Sequence, residues 1–433
     1  MAVWNPKIEC AKRSVIEAIQ LERLKWSVQH AYDHVPMYHD KMVKAGVKPS
    51  DIRTLKDISK IPLTTKTELR EQYPFKLLAV PMREVVRIHA SSGTTGQPIT
   101  AGYTRRDLDT WAECIARIAT AGGATADDIA QVSFGYTLFT GAFGLHGGLE
   151  KIGCAIIPIS SGNTERQVRL MRDFGSTVLC CTPSYALHIA DTIEEMHIPR
   201  EQIKLKSGIF GAEPWTDAMR RDIEKRLSIK CFDIYGLSEI TGPGVSVECT
   251  EHNGLHVAED CFFPEIIDPE TGAPLPDGQT GELVFTTIAK EGMPLLRYRT
   301  RDLSSLDASP CPCGRTHRRM QRIMGRSDDM IVVRGVNVFP TQVEAILIEM
   351  GELAPHYLLV VNRENNSDTL EVQVEMSQQL FSDEVRHIEE VERKIKQRIL
   401  TMLGISAKVR LVEPHSLPRS EGKAKRVQDN RNK

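Results

Sequence analysis

The chain has 433 residues, too many for one ordinary core and too few for more than about three, because single cores stop growing near roughly 250 to 300 residues. Hydrophobic residues make up 41%, charged residues 26% and aromatic residues 6%, which supports a sizeable core and excludes disorder, collagen-like repeats and coiled coil. Lys plus Arg number 55 against 57 Asp plus Glu, so no global field draws the chain to nucleic acid or to an anionic membrane, and recognition must be local. The opening MAVWNPKIEC lacks the charged region and apolar run of a signal peptide, and no membrane-length apolar run follows, so a cytoplasmic protein is expected. A chain of this size needs no disulfide framework. Cys10, Cys114, Cys154, Cys180, Cys181 and Cys231 read as reduced core residues, whereas Cys249, Cys261, Cys311 and Cys313 lie in polar, Gly/Pro-rich sequence.

From about residue 105 to 240 helical and strand patterns alternate, the mark of parallel βα units. In one helix Thr164 is placed to cap, Gln167 to complete a capping box, Val168, Met171 and Phe174 to form one face, and Gly175 to stop it. Met219, Ile223 and Leu227 define another helix after Pro214 and Thr216. The runs CAIIPIS, STVLCC, SGIF and KCFDIYG read as buried strands, giving a mostly parallel sheet. From about 255 to 325 short strands alternate with Gly and Pro turns, a β-rich antiparallel subdomain. VEAILIEM then reads as a helix, HYLLVV and LEVQVEM as strands around NRENNSD, Ile388, Val391, Ile395 and Ile399 as one helix face, and AKVRLV as a last strand. The expected fold class is α/β: a large N-terminal domain, residues 1–327, and a small α+β C-terminal domain, residues 328–433.

The most informative string is SSGTTGQP, Ser91 to Pro98. Glycines at 93 and 96 allow close backbone approach, leaving N–H groups and the hydroxyls of Ser91, Ser92, Thr94 and Thr95 free to surround a phosphate. With each residue type near roughly 6% of usage, SGTTG is expected about once in a million starting points. It is neither a Walker A loop nor GxGxxG. It resembles the ATP loop of the adenylate-forming acyl-CoA ligases, and further strings fall in that family's order: GAEP at 211–214, DIYGLSE at 233–239, YRTRD at 298–302, GRSDDMIVVRGVNVFP at 325–340 and LPRSEGKAKRV at 417–427. Within that superfamily the short length, RGVNVFPTQVE and LPRSEGKAKRV look most like the phenylacetate–CoA ligases. One departure stands out: many relatives carry Lys shortly after the loop's Pro, whereas Ile99 and Thr100 follow Pro98 here.

The resemblance implies a large domain, a small rotating one, and a reaction in which carboxylate and ATP form an acyl-adenylate that the CoA thiol then attacks. It makes Lys423 the cation of the first half-reaction, since like charges must meet at the α-phosphate; the plain alternative is a solvated basic tail that also holds Lys425. It makes Glu239 a Mg²⁺ ligand rather than a surface glutamate, and Asp302 the ribose-binding residue rather than an ion-pair partner of Arg299 or Arg301. Tyr235 and the backbone of Gly211, Ala212, Glu213 and Pro214 would border the adenine, with Asp233 and Gly236 also among the cofactor-binding residues; Arg326 would reach ribose or phosphate from the domain junction. Asp328 falls at the family's hinge, and Gly335 would let the pantetheine arm of CoA approach, unless it is a plain turn glycine.

In SFGYTLFTGAFG, residues 133–144, Tyr136 and Phe143 suit a slot for a flat aryl acid or simply part of the core. Cys311 and Cys313 in CPCG, with Cys249 and His256, supply four soft ligands for a closed structural Zn²⁺ site; His252, His317 and Cys261 are substitutes, and unligated thiols the alternative. The expected activity is therefore an AMP-forming aryl-acid CoA ligase using ATP, Mg²⁺ and CoA, most nearly on phenylacetate. Its alternatives are another aryl acid, a carrier-protein acceptor, and, remotely, a zinc-containing nucleic-acid-binding protein. The basic tail lacks the interleaved aromatics of that last class, and neither a nucleic-acid nor a membrane partner is expected. Oligomeric state is undecided, with a homodimer allowed.

Overall fold

The structure is a computed structural model that describes residues 2–91, 97–326, 331–334, 336–350, 353–364, 367–381, 385–418 and 426–431. Its largest layer is a nine-stranded sheet. Ala155–Ile157, Ile129–Val132, Val178–Cys181, Ser207–Gly211 and Lys230–Leu237 lie parallel in that spatial order. Parallel neighbours need long crossovers, and the helices Gly141–Ile152, Thr164–Phe174, Pro183–Glu195 and Asp217–Leu227 supply them. Val178–Cys181 is buried at every position because helices cover both faces.

The sheet then changes direction, so the expected mostly parallel sheet is in fact mixed. Ser238–Thr241 separate Lys230–Leu237 from Gly242–Glu248, a connection too short for a crossover, and the two strands pair antiparallel. Leu255–Val257, Arg319–Met320 and Leu306–Asp307 extend the same sheet antiparallel to its edge. The β-rich region is thus shared between two sheets: its second one orders Pro274–Leu275, Phe262–Ile267, Gly281–Thr287, Tyr298–Ser304 and Gly325–Arg326.

Helix Asp217–Leu227 follows expectation, with Thr216 accepting from the Met219 N–H and Met219, Ile223 and Leu227 buried. Helix Thr164–Phe174 departs from it. Val168 and Met171 are buried and Gly175 ends the helix in the left-handed region, but Asn163 is the cap. Gln167 forms no capping box; it donates to the carbonyls of Ser160 and Gly162, both at 2.9 Å, and so ties the turn before the helix to its first buried face. Phe174, the last helical residue, stands 54% exposed beyond the buried face. Cys10 is only partly buried, and Cys261 belongs to the main core, reversing their expected environments.

From residue 331 on the chain builds a core of its own. Val343, Ile346 and Leu347 of helix Pro340–Glu349 and Val391, Ile395 and Ile399 of helix Val385–Leu403 pack on Leu370, Val372 and Val374. Those residues alternate along Ser367–Met376 in a sheet ordered Lys408–Val412, Ser367–Met376, Leu353–Glu364, Val427–Asp429. No helix among the described residues is long and apolar enough to cross a membrane.

Two predictions follow from this packing. A Cβ at Gly236 would lie 1.9 Å from the Gly242 carbonyl oxygen, so Gly236→Ala must separate two paired strands and should cost about 1 to 3 kcal/mol, read from urea unfolding. Burial pushes the Glu259 carboxyl up, but Arg318 and Arg13 outweigh it and hold it at about 2. That is below its ordinary 4.5, so the stability it contributes is complete above about pH 4.5 and lost as pH falls toward 2. Glu259→Gln should therefore destabilise the protein by on the order of 3 kcal/mol at neutral pH and flatten its acid unfolding limb; an unaltered limb would contradict the assignment.

Candidate active site

The phosphate loop springs from a pinned base. Arg87–Ala90 and Thr100–Tyr103 form an antiparallel pair ending at Ala90 and Thr100. Beyond it the Ser91 N–H donates to the Ile99 carbonyl and the Ile99 N–H to Ser91 Oγ, each at 2.9 Å. Ser92, Gly93, Thr94, Thr95 and Gly96 lie outside the described residues. The Ala90 N–H donates to the Leu138 carbonyl at 2.9 Å, which sets the loop base against the aromatic segment 133–144.

GAEP begins at the end of Ser207–Gly211. A Cβ on Gly211 would meet the Ile234 carbonyl at 2.5 Å, so this glycine has a packing reason of its own. Ala212 sits at φ +71°, a left-handed conformation that residues with a Cβ avoid and that tends to be retained at functional sites. Glu213 Oε1 accepts from the Ser184 N–H at 2.7 Å at the start of helix Pro183–Glu195, where the helix end favours negative charge. Pro214 is exposed beside it.

Strand Lys230–Leu237 carries Asp233 and Tyr235. Burial, with the nearby Glu248 carboxylate adding to it, pushes the Asp233 carboxyl up to about 8. The Tyr235 phenol donates to Asp302 Oδ2 at 2.6 Å, and Asp302 Oδ1 lies 3.8 Å from Nε of Arg326, its cross-strand neighbour. Arg299 and Arg301 instead turn to Glu282, at 2.6 and 3.5 Å, because alternation along Tyr298–Ser304 points Asp302 to the buried side. The ion-pair alternative for Asp302 with either of them is thereby removed.

Glu239 is 4% exposed, so it is no surface glutamate. Lys66 Nζ lies 3.1 Å from its Oε1. Beneath the turn, Lys290 Nζ donates to the carbonyls of Ile240 at 2.6 Å and Glu239 at 3.4 Å, and the Tyr103 hydroxyl to that of Thr241 at 2.8 Å. Burial pulls the Lys290 ammonium down to about 8, against the opposite pull of Asp107 and Glu239. Sequence reasoning missed both lysines. Its one usable signal for Lys66 was the lysine lacking after Pro98, a charge that something else must supply.

Tyr136 and Phe143 meet edge to face at 5.2 Å, both partly exposed. The Tyr136 hydroxyl lies 3.0 Å from His146 Nδ1, the His89 ring lies 5.6 Å from Phe143, and the Arg87 guanidinium stands 5.2 Å over Phe143. Aromatic walls with polar edges suit an aryl group.

The four expected metal ligands converge. Donor atoms of Cys249, His256, Cys311 and Cys313 all lie within 4.8 Å of one another, and all four residues are buried. Cys249 Sγ is 3.7 Å from Cys311 Sγ, and Cys313 Sγ is 3.3 Å from His256 Nε2. His256 Nδ1 faces the His317 carbonyl at 3.2 Å, the outer contact that orients a metal-binding imidazole. The Cys249 hydrogen bond and His256 hold the Cys313 thiol well below the usual range, and a thiolate is what a metal binds. The substitutes are occupied elsewhere: His252 Nδ1 lies 2.7 Å from Arg220, His317 Nδ1 2.9 Å from the Val257 carbonyl, and Cys261 is in the main core. The donor set fits tetrahedral zinc.

Asp328, Gly335 and Lys423 lie outside the described residues. Arg426, three positions after Lys423, stands 4.6 Å over the Tyr357 ring, whose hydroxyl donates to Glu344 at 2.9 Å. Burial pushes the Glu344 carboxyl up; Arg426 opposes this and Glu213 adds to it, so this face of the C-terminal part looks toward GAEP.

The AMP-binding enzyme family model matches residues 17–289, and the AMP-binding enzyme C-terminal domain matches residues 335–431. The chain is 51% identical over 431 residues to a phenylacetate-coenzyme A ligase of Aromatoleum evansii, covering 98% of this chain and 97% of that one. It is 48% identical to a phenylacetate-coenzyme A ligase of Thermus thermophilus, over 99% of both. A solved 2-hydroxyisobutyryl-CoA ligase in the postadenylation state, in complex with 2-HIB-AMP, matches with a TM-score of 0.93 at 30% identity, over 98% of this chain and 92% of that one. The same ligase with 2-HIB-AMP and CoA in the thioesterification state gives 0.73, over 99% and 92%. Both are 30% identical to this chain, which superposes more closely on the first. Matches across both parts of the chain, and near-complete identity coverage at about half of all positions, place it among the AMP-binding enzymes: it belongs to the phenylacetate–CoA ligase family.

Proposed function

We propose that the protein is an AMP-forming aryl-acid CoA ligase acting in the cytoplasm on phenylacetate, giving the aryl-acyl-CoA, AMP and diphosphate through an acyl-adenylate. The observation that carries this reading is the pair of buried motif carboxylates, Glu239 and Asp302, each set against a cation in a chain of that family. Asp302, oriented by Tyr235, accepts from the ribose hydroxyls, and Arg326 reaches the nucleotide from the adjoining strand. Loop residues 91–96 surround the phosphates. The Glu239 carboxylate offers the oxygen that a hard cation prefers; it would hold the Mg²⁺ of the nucleotide, which would neutralise phosphate charge. Lys66, 3.1 Å from Glu239, would then be free to offer its charge to a phosphate, in place of the lysine missing after Pro98.

In the first half-reaction a carboxylate oxygen of the acid attacks the α-phosphorus and diphosphate leaves, with Lys423 as the cation beside the developing charge. In the second, the CoA sulfur attacks the acyl carbonyl and AMP leaves. Rotation at Asp328 withdraws Lys423 and turns the segment around Gly335 toward the pantetheine arm. Tyr136 and Phe143 flank the aryl group. Since one methylene in an apolar slot is worth only about 1 to 3 kcal/mol, neighbouring aryl acids should react more slowly rather than be refused. The Cys249, His256, Cys311 and Cys313 set holds structural zinc, because four protein ligands leave no open position.

Diphosphate release across a panel of aryl and alkyl acids, with and without CoA, tests the assignment: phenylacetate should give the highest rate, and no acid-dependent release would reject it. Lys423→Ala should abolish adenylation yet leave thioester formation from supplied phenylacetyl-adenylate largely intact; equal loss of both would refute the division of labour. Lys66→Met should lower kcat/KM for ATP by roughly tenfold to a hundredfold while leaving the second half-reaction alone. Purified protein should carry about one equivalent of zinc, and less than about a tenth would reject that site.

A further inference from the structure

The metal centre lies under the beginning of the chain. Residues 308–318 form a loop between the two-residue strands Leu306–Asp307 and Arg319–Met320. Cys249, Cys311 and Cys313 make a small core of their own. Arg315, Thr316 and His317, just past Gly314, hold the N-terminal segment, while Trp4 and Asn5 bind Glu113. Arg315, 3% exposed, donates from Nε to Glu9 Oε2 at 2.7 Å and from Nη2 to the Ala2 carbonyl at 3.1 Å. The Thr316 N–H donates to the Glu9 carbonyl at 2.9 Å and its hydroxyl to the Ala11 carbonyl at 2.5 Å. His317 Nε2 lies 3.2 Å from the Ile8 carbonyl.

Both ends of this contact run back to metal ligands. The Arg315 N–H donates to Cys313 Sγ at 3.4 Å, and the His317 carbonyl faces His256 Nδ1. Glu9 is 3% exposed, so a shift of Arg315 would leave a buried carboxylate without its guanidinium. Resting on the zinc reading given above, we propose that this centre is the anchor for residues 2–11: zinc orders the Arg315–His317 stretch, and that stretch docks the start of the chain on the β-rich region. Unligated thiols have no geometry to impose on the loop, whereas four ligand bonds fix it, so occupancy and docking become one equilibrium.

The test is amide hydrogen exchange on the full-length protein, followed in peptides covering residues 2–12 and, as an internal control, strand Val178–Cys181. Zinc is removed with a chelator, then restored. Removal should speed exchange in residues 2–12 by at least about tenfold, leave Val178–Cys181 protected, and be reversed by Zn²⁺ alone. Arg315→Ala should show the same fast exchange while retaining its zinc, which places the link downstream of the metal. Zinc that binds and leaves without altering residues 2–12 overturns the anchor and spares the metal site. Failure to bind zinc at all overturns both. Loss of protection in Val178–Cys181 as well would make the effect global unfolding and reject a local anchor.

Discussion

The site depends on one tight reversal of the main sheet. Between Lys230–Leu237 and Gly242–Glu248 only Ser238–Thr241 are available, and the paired backbones approach so closely that Gly236 has no room for a side chain. The reversal leaves three successive carbonyls, of Glu239, Ile240 and Thr241, directed away from any strand partner. Lys290 and Tyr103 take them from below. A buried ammonium spent on backbone carbonyls is unusual, and its burial lowers its proton affinity as expected. What it secures is a turn whose tip, Glu239, is held before any ligand arrives, the kind of preorganisation that makes electrostatic catalysis effective.

The second sheet contributes the other carboxylate. Asp302 lies on Tyr298–Ser304, and the bond from Tyr235 to it ties the two sheets together. Ala212 and Arg301 both adopt left-handed backbone beside Glu213 and Asp302. Strain of this kind persists where surroundings over-determine it, and here it accompanies motif residues at the ends of strands from different sheets.

Much of this was legible in the residues because it is written locally. The helices and parallel strands between 105 and 240 carry strong periods, LEVQVEM alternates strictly, and the ordered motifs mark Glu239, Tyr235 and Asp302. The Cys/His cluster was readable since two of its thiols sit in one CPCG turn. What escaped has no local pattern. Leu306–Asp307 and Arg319–Met320 are two residues each, below any period, and their pairing to the large sheet rests on distant partners. Lys66 and Lys290 look like ordinary lysines until the fold places one against Glu239 and the other under it. Gln167 was misjudged because the buried carbonyls it satisfies belong to a turn, where no spacing rule applies.

Helix Arg13–His34 is fastened along its length to residues far ahead of it: Arg13 to Glu259, Gln20 to the Glu259 carbonyl, Ser27 to that of Thr287, and His30 to that of Glu291. The sequence separations are 239 to 261 residues. During synthesis this helix can pack early only on the segment that follows it, Pro36–Lys44 and the turns up to Lys60; its bonds to residues 259–291 wait until well over half the chain has left the ribosome. The large N-terminal part is thus not closed from its beginning; the parallel βα units between residues 105 and 240 can pair with their neighbours before the helix is joined to residues 259–291. Ile16, Leu24 and Val28 of that helix, fully buried in the finished fold, are only partly covered in this interval, which leaves the nascent chain open to aggregation.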